Sequence, residues 1–276
     1  MRGEASRIAD RESRDSLAPK LRDTRLEAWR IGNELFTVTS ALDHNPALGR
    51  ALTDPSRPVA DKVAVLERLI GEQAHPMTME IMTDLVGRRW SRAYDIGNAV
   101  EDFGVDAMMY YADATDATLQ VSIELAQLHS SLLNLPVVRS KLYDAQATSE
   151  ARVQLFRALF DGKGLNKVTM RLAEHATCNL RKRRYLTTIQ WLINKFSRHM
   201  GESMVTVTTA APLTDGQTQR LLAIYGEKAG HPVHINSVVD PTVIGGMRVQ
   251  IGDEVMDNTV VAQLEHLKRT VKAGTR

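Results

Sequence analysis

"ELFTVTSALDHNPALGRALTDPSRPVADKVAVLERLI", residues 34–70, returns as "ELAQLHSSLLNLPVVRSKLYDAQATSEARVQLFRALF", residues 124–160, at an offset of 90. Without a gap, nine of 37 positions are identical, where about two or three would coincide by chance in a search for repeats. The pairs are Glu34 and Glu124, Leu35 and Leu125, Ser40 and Ser130, Leu42 and Leu132, Pro46 and Pro136, Leu52 and Leu142, Asp54 and Asp144, Val63 and Val153, and Leu69 and Leu159. Near-matches follow at Lys62 and Arg152, Leu66 and Phe156, and Ile70 and Phe160. A period this long marks a duplicated domain rather than a solenoid.

Each copy reads alike. A long amphipathic segment (Leu26 to Leu42, Leu119 to Leu133) ends at "DHNPAL" or "LNLPVV", where Pro and Asn break the helix. A short helix and a loop follow. The next helix carries Val63, Leu66, Leu69 and Ile70, or Val153, Phe156, Leu159 and Phe160, and this spacing predicts one core-facing stripe. After "GEQAHP" or "DGKGLN" another helix runs to a basic punctuation, "GRRW" or "RKRRYL", and a final helix closes each bundle.

Near residue 203 the pattern changes. "SMVTVTTAAPL" is β-branched and alternating, as a strand requires. Thr214 is placed to cap a helix that ends at Gly230, and "PVHINSVV" reads as a second strand. "MRVQI" alternates as a third, with Gly252 and Asp253 turning it into "EVMD". Thr259 is placed to cap a last helix with Val260, Val261, Leu264 and Leu267 along one side. The expected fold class is mainly α: two similar helical bundles, residues 1–104 and 105–202, followed by a small C-terminal α+β module, residues 203–276.

Composition agrees with that frame. Of 276 residues 43% are hydrophobic but only 5% aromatic, so the core must be built from Leu, Val, Ile, Ala and Met, a mixture suited to packed helices. The 35 basic and 33 acidic residues nearly cancel, which gives no global footprint for nucleic acid. The lone Cys178 cannot form an intrachain disulfide and has no metal-ligand spacing around it, so a plain thiol in a reducing compartment is expected. "MRGEASRIADRESRDS" lacks the apolar stretch of a signal peptide, and no window approaches a membrane span, so direct membrane insertion is not expected.

The paired glycines of "VVDPTVIGGMRVQIGDEVMDNTV", residues 238–260, invite comparison with a phosphate loop. Such loops set their glycines between a strand and a helix whose first amides face the anion. Gly245 and Gly246 instead lead into a strand, with no Lys-Ser or Lys-Thr after them, and are read as a turn.

At this point the residues carry a family resemblance. "VTVTTAAPLTDGQTQRL" followed by "VDPTVIGGMRVQIGDEVMDNTVVAQLEHLKR" resembles the C-terminal signature of the delta subunit of bacterial F-type ATP synthase, the counterpart of the mitochondrial oligomycin-sensitivity-conferring protein. The strand ending in Ala-Ala-Pro-Leu, the Asp-Pro turn, Ile-Gly-Gly, and Ile-Gly-Asp-x-Val-x-Asp occur in the family's order. Residues 119–202 are similar to the family's helical bundle, and residues 1 to about 104 look like a second copy of it, as in extended actinobacterial members. Asn258 stands where the family more often has Gly, a tolerable change because Asn accepts left-handed backbone.

The resemblance implies a non-catalytic peripheral-stalk (stator) subunit of the proton-translocating ATP synthase, peripheral on the cytoplasmic face of the cell membrane, that resists rotor torque. It implies two partners: N-terminal segments of the alpha subunits on the helical bundle, and the b subunit on the C-terminal module. By similarity the alpha groove lies between the first and fifth helices of a bundle, placed in copy two near 98–112 and 166–179, with Met108, Leu172 and Ala176 as candidates. Val260, Leu264 and Leu267 are the candidates for b. The alternative is a helical adaptor unrelated to ATP synthase, for which the C-terminal signature would be coincidence.

Chemistry-bearing residues offer little else. No catalytic, cofactor-binding or metal residues are expected, because the one close histidine pair, His231 and His234, straddles a proline, and zinc needs three or four donors. "RKRR", residues 181–184, reads as a solvated helix junction, helped by the helix dipole. Glu101 and Asp102 read as part of a charged, solvated helix face.

Overall fold

The computed structural model describes residues 3–178, 181, 183–252 and 254–264. The chain divides after Thr118 into two compact units.

The first unit is helical. Its helices are α1 (Glu4–Asp23), α2 (Ala28–His44), α3 (Pro46–Thr53), α4 (Val59–Leu66), α5 (Pro76–Gly87) and α6 (Ala93–Ala114). Asn45 caps α3 with its side chain and Pro46 starts it, a position where the missing N–H costs nothing. Helix α6 is the centre of this unit, buried round its circumference from Ala99 to Ala112, and packed on α1, α2, α3 and α5. Its contact with α2 is built on missing side chains. A Cβ on Gly32 would sit 2.8 Å from Met108 Cε, and one on Gly104 would sit 2.7 Å from the Phe36 ring. The two backbones therefore approach as only glycine permits.

The boundary expected between residues 104 and 105 falls inside α6, whose packing places it with the first unit. At the repeat offset α6 is the counterpart of α1, and at one residue more it is the counterpart of the last helix of the second copy. One helix thus stands at the end of one repeat and the start of the next.

The second unit holds α7 (Thr118–Leu133), α8 (Pro136–Leu142), α9 (Ser149–Phe160), α10 (Lys167–Cys178) and α11 (Tyr185–Met200), then β1 (Ser203–Thr209), α12 (Asp215–Ala229), β2 (Val233–Val239), β3 (Met247–Ile251) and β4 (Glu254–Asp257). The sheet order is β2-β1-β3-β4. Strand β1 runs parallel to β2, with Val205 opposite Ile235, and antiparallel to β3, with Val207 opposite Val249. Val205, Val207, Val233 and Val249 close a small core with Leu221 of α12. Thr214 caps the start of α12, as the sequence predicts, and Gln217 makes the cap a reciprocal capping box.

The repeat is visible in burial as well as in sequence. Leu35 and Leu125, Leu52 and Leu142, and Leu66 and Phe156 are all in the core. The predicted stripe on α4 and α9 needs correction, however. Val63, Ile70, Val153, Leu159 and Phe160 are only half-buried, and Leu69 is 56% exposed. The inward positions are Lys62 with Leu66, and Arg152 with Phe156, because each cation turns in to meet the carbonyl end of the following helix. Glu101 and Asp102 are corrected too: both are buried, and Arg14 lies 3.5 Å from Asp102 and is paired with Asp106.

Candidate partner-binding surfaces

The paired glycines form a corner where two parts of the C-terminal module cross. Gly246 has φ +78°, and a Cβ there would lie 2.3 Å from Asn258 O. The amide of Asn258 donates to Met247 O (3.1 Å), and that of Val260 to Gly245 O (3.0 Å). Only glycine meets both demands, left-handed backbone and no side chain. The crossing holds the start of the last helical segment, residues 260–264, against the turn before β3.

Thr259 sets that start. Asp257 Oδ1 accepts from the Thr259 hydroxyl (2.7 Å) and amide (3.0 Å), bonds that hold its carboxyl below the usual range. Thr259 Oγ1 in turn accepts from Ala262 N (3.3 Å), a cap on the next turn. The result is an apolar surface beside the glycine corner. Ile244 is 76% exposed and Leu264 51%, with Val260 and Val261 also exposed. Leu267 lies outside the described residues.

The helical candidates occupy different ground. Met108 is buried and seated against Gly32 within the first unit. Leu172 and Ala176 are buried on α10 in the second unit. Sequence spacing did not anticipate a groove of about 550 Å³ wholly inside the first unit, between α1, α4 and α5. Leu17, Val63 and Met79 form its apolar floor, and Lys20 and Glu80 pair across it at 2.5 Å. Helices α1 and α5 are the first and fifth of copy one.

Within the second unit the module is tied to the helices by amide contacts. Asn236 Nδ2 on β2 donates to Ser130 Oγ on α7 (3.2 Å), and Gln250 Nε2 on β3 donates to Gln190 Oε1 on α11 (2.9 Å). His129, beside Ser130, is buried with its pKa pushed down to about 4, by desolvation first and then by the charges of Arg248 and Arg139. Among the described residues no group of three His, Cys, Asp or Glu side chains stands close enough to hold a metal, and no helix is long and apolar enough to cross a membrane.

Helices that repeat, a small sheet joined to them by side-chain amides, and apolar surface left on the sheet's last helical turn describe an assembly subunit built to hold other chains. Comparison with known proteins makes that class specific. The family model described as ATP synthase delta (OSCP) subunit matches residues 105–271. ATP synthase subunit delta of Bifidobacterium longum (strain DJO10A) is 80% identical over 272 residues, covering 99% of this chain and 98% of that protein. The same subunit of Beutenbergia cavernae is 32% identical over 92% of this chain and 94% of its own, and that of Streptomyces avermitilis is 32% identical over 96% and 97%. The chain belongs to the ATP synthase delta (OSCP) family, a peripheral-stalk component of the F-type ATP synthase. Relatives that match along the whole chain carry the N-terminal repeat as well, a stretch that lies outside the family model's match from residue 105 onward.

Proposed function

We propose that this chain is a non-catalytic clamp of the stator, set on the cytoplasmic face of the cell membrane, which binds alpha-subunit N-terminal segments through its helices and the b subunit through its C-terminal module. The observation that carries the stalk contact is the exposed apolar surface of Ile244, Val260, Val261 and Leu264 on a module whose own core is small. A module of this size gains stability from an amphipathic helix laid on such a surface. For the alpha segment, the groove between α1 and α5 offers the helix-in-groove form in copy one. Met108, Leu172 and Ala176, buried as they are, would set the helix spacing beneath the bundle surface rather than meet the partner first.

The test is the double substitution Leu264→Asp with Leu267→Asp. Placing two carboxylates in an apolar contact is costly, so the variant should keep its circular dichroism, lose most of its b binding, and uncouple ATP hydrolysis from proton flow. A folded variant that still assembles with b and pumps at the normal rate would place the stalk contact elsewhere.

A further inference from the structure

The second unit contains a cleft of about 820 Å³ between α7, α11 and β3, within the size range of small-molecule sites. Its polar lining includes His129, Arg198, Arg248, Gln190, Asn194 and Gln250. Among the described residues no Asp or Glu lines it. His129 is only 8% exposed, and among the described residues nothing hydrogen-bonds its ring. The charged groups that act on it are Arg248 from β3 and Arg139 from α8, both cationic. Asp240 and Asp257 feel Arg248, but each is already held by a threonine, Thr242 or Thr259, outside the lining.

Among the described residues, two guanidinium groups and an imidazole with no hydrogen-bond partner line this cleft without a carboxylate, beside side-chain amides already bonded in a chain from Gln250 through Gln190 to Asn194. We propose that this cleft is an oxyanion site, taking phosphate or the phosphate group of a small ester between Arg248, Arg198 and His129. Arginine is suited to this ligand because its planar fork donates in pairs to tetrahedral oxygens. The lining comes from both the helices and the sheet of the second unit, so an anion bound there would brace β3 against α11, in parallel with the bond between Gln250 and Gln190.

The anion also changes His129. A negative charge beside the ring favours the imidazolium, so binding raises a pKa that burial and the arginines hold near 4 in its absence. The contribution of His129 to affinity then increases as pH falls through the pKa of the bound state, and levels off below that of the free state, on top of the phosphate's own titration.

The experiment uses the full chain with histidine ring NMR at fixed ionic strength, titrated with inorganic phosphate and separately with glycerol phosphate. Expected is a saturable shift of the His129 ring signal, weakened about tenfold in Arg248→Gln and in Arg198→Gln; in His129→Gln, followed by phosphorus NMR of the probe, only the pH dependence set by the phosphate's own ionisation should remain. Phosphate binding tighter than glycerol phosphate assigns the site to the free ion, and the reverse order assigns it to an ester. The proposal fails if neither probe gives a saturable shift at His129, or if the exposed His44 shifts equally. The titration of the unsubstituted chain decides this even if a variant does not fold.

Discussion

In the first repeat Lys62 reaches one carbonyl near the end of α5, Val86 O at 3.4 Å. In the second, Arg152 stands at the same place and donates to the oxygens of Thr177, Cys178, Asp144 and Ala147. Both side chains are buried, so the duplicated frame kept a cation under the end of the fifth helix while the number of its bonds diverged. A second divergence sits on the second helix of each copy. Thr39, buried, returns its hydroxyl to Leu35 O, whereas its counterpart His129 faces the cleft beside β3. Among the described residues Ser40 hydrogen-bonds side chains only on its own helix, at His44, but Ser130 accepts from Asn236 of the sheet. Residue identity and use have diverged separately: Ser130 is kept but gains a partner in the added module, whereas His129 replaces a threonine where the cleft opens.

The largest effect that would break this comparison is at the buried cations. Arg152→Met removes four donors and leaves carbonyls without them in the interior, at an expected cost of about 3–5 kcal/mol to the second unit. Lys62→Met removes one long bond and leaves an aliphatic stem of similar shape, at about 1 kcal/mol. Hydrogen exchange of α10 and α5 amides reads the two sites separately. Equal losses would mean that the extra bonds of Arg152 contribute nothing net, and the first divergence would be cosmetic.

Next in size is an acid sensitivity confined to the second unit. His129 is neutral in the folded chain down to about pH 4, while in the unfolded chain it takes a proton below about 6.5. The unfolded state therefore binds more protons in this window, and stability falls as pH drops from 6.5 to 4, by about 3 kcal/mol in full at roughly 1.4 kcal/mol per pH unit. His129→Thr, which imports the first repeat's residue, should flatten that slope. Denaturant unfolding at pH 7 and pH 4.5 measures it, and an unchanged slope in the variant would remove His129 as its source.

Much of this architecture is legible in the sequence because periodicity and punctuation are local. The Asn-Pro and Leu-Pro breaks, the Thr214 cap and the alternating strands rest on residues within a turn or two of each other, and the offset of 90 needs only the chain laid on itself. What the pattern could not show depends on partners far along the chain. Lys62 and Arg152 count as polar in any periodicity, yet their stems bury well. Asp102 looks solvated until Arg14 is brought beside it by the packing of α1 on α6. The surface candidates divide the same way. Leu264 is exposed as an amphipathic C-terminal helix implies, but the burial of Met108 follows from two glycines, Gly32 and Gly104, whose meeting no local pattern reports. The double glycine at 245–246 is recognisable as a turn, although the reason for Gly246 is the carbonyl of Asn258 crossing beneath it.

The smallest expected difference sharpens the comparison most, because it concerns the best-matched pair. Glu34 Oε2 accepts from His75 N (2.8 Å) and Thr78 Oγ1 (2.6 Å), and Glu124 Oε2 accepts from Asn166 N (2.9 Å) and Thr169 Oγ1 (2.5 Å), so each closes the start of the fifth helix of its copy. The other oxygen differs in its neighbour: Oε1 of Glu34 accepts from Arg30 Nε, and Oε1 of Glu124 from Gln120 Nε2, both at 2.8 Å. Burial opposes ionisation of Glu34, but the bonds from Thr78, the His75 amide and Arg30 outweigh it and hold its carboxyl below the usual range. The stability this gives is present above the ordinary carboxylate pKa and is lost as pH falls through the lowered one. Glutamine at either position keeps one oxygen for the helix start and turns an amide NH₂ toward the old Oε1 partner. At position 124 that partner can flip and accept through its own amide oxygen, whereas at position 34 it is a guanidinium that can only donate. Glu34→Gln should therefore cost about 1–2 kcal/mol and Glu124→Gln about half as much, both less than the cation substitution in the second repeat. Thermal unfolding of the two single variants, followed through the amides of α5 and α10, decides the order. A larger loss at 124 would show that the acidic N-terminal anchor, and not its neighbour on the second helix, is what the repeats have tuned apart.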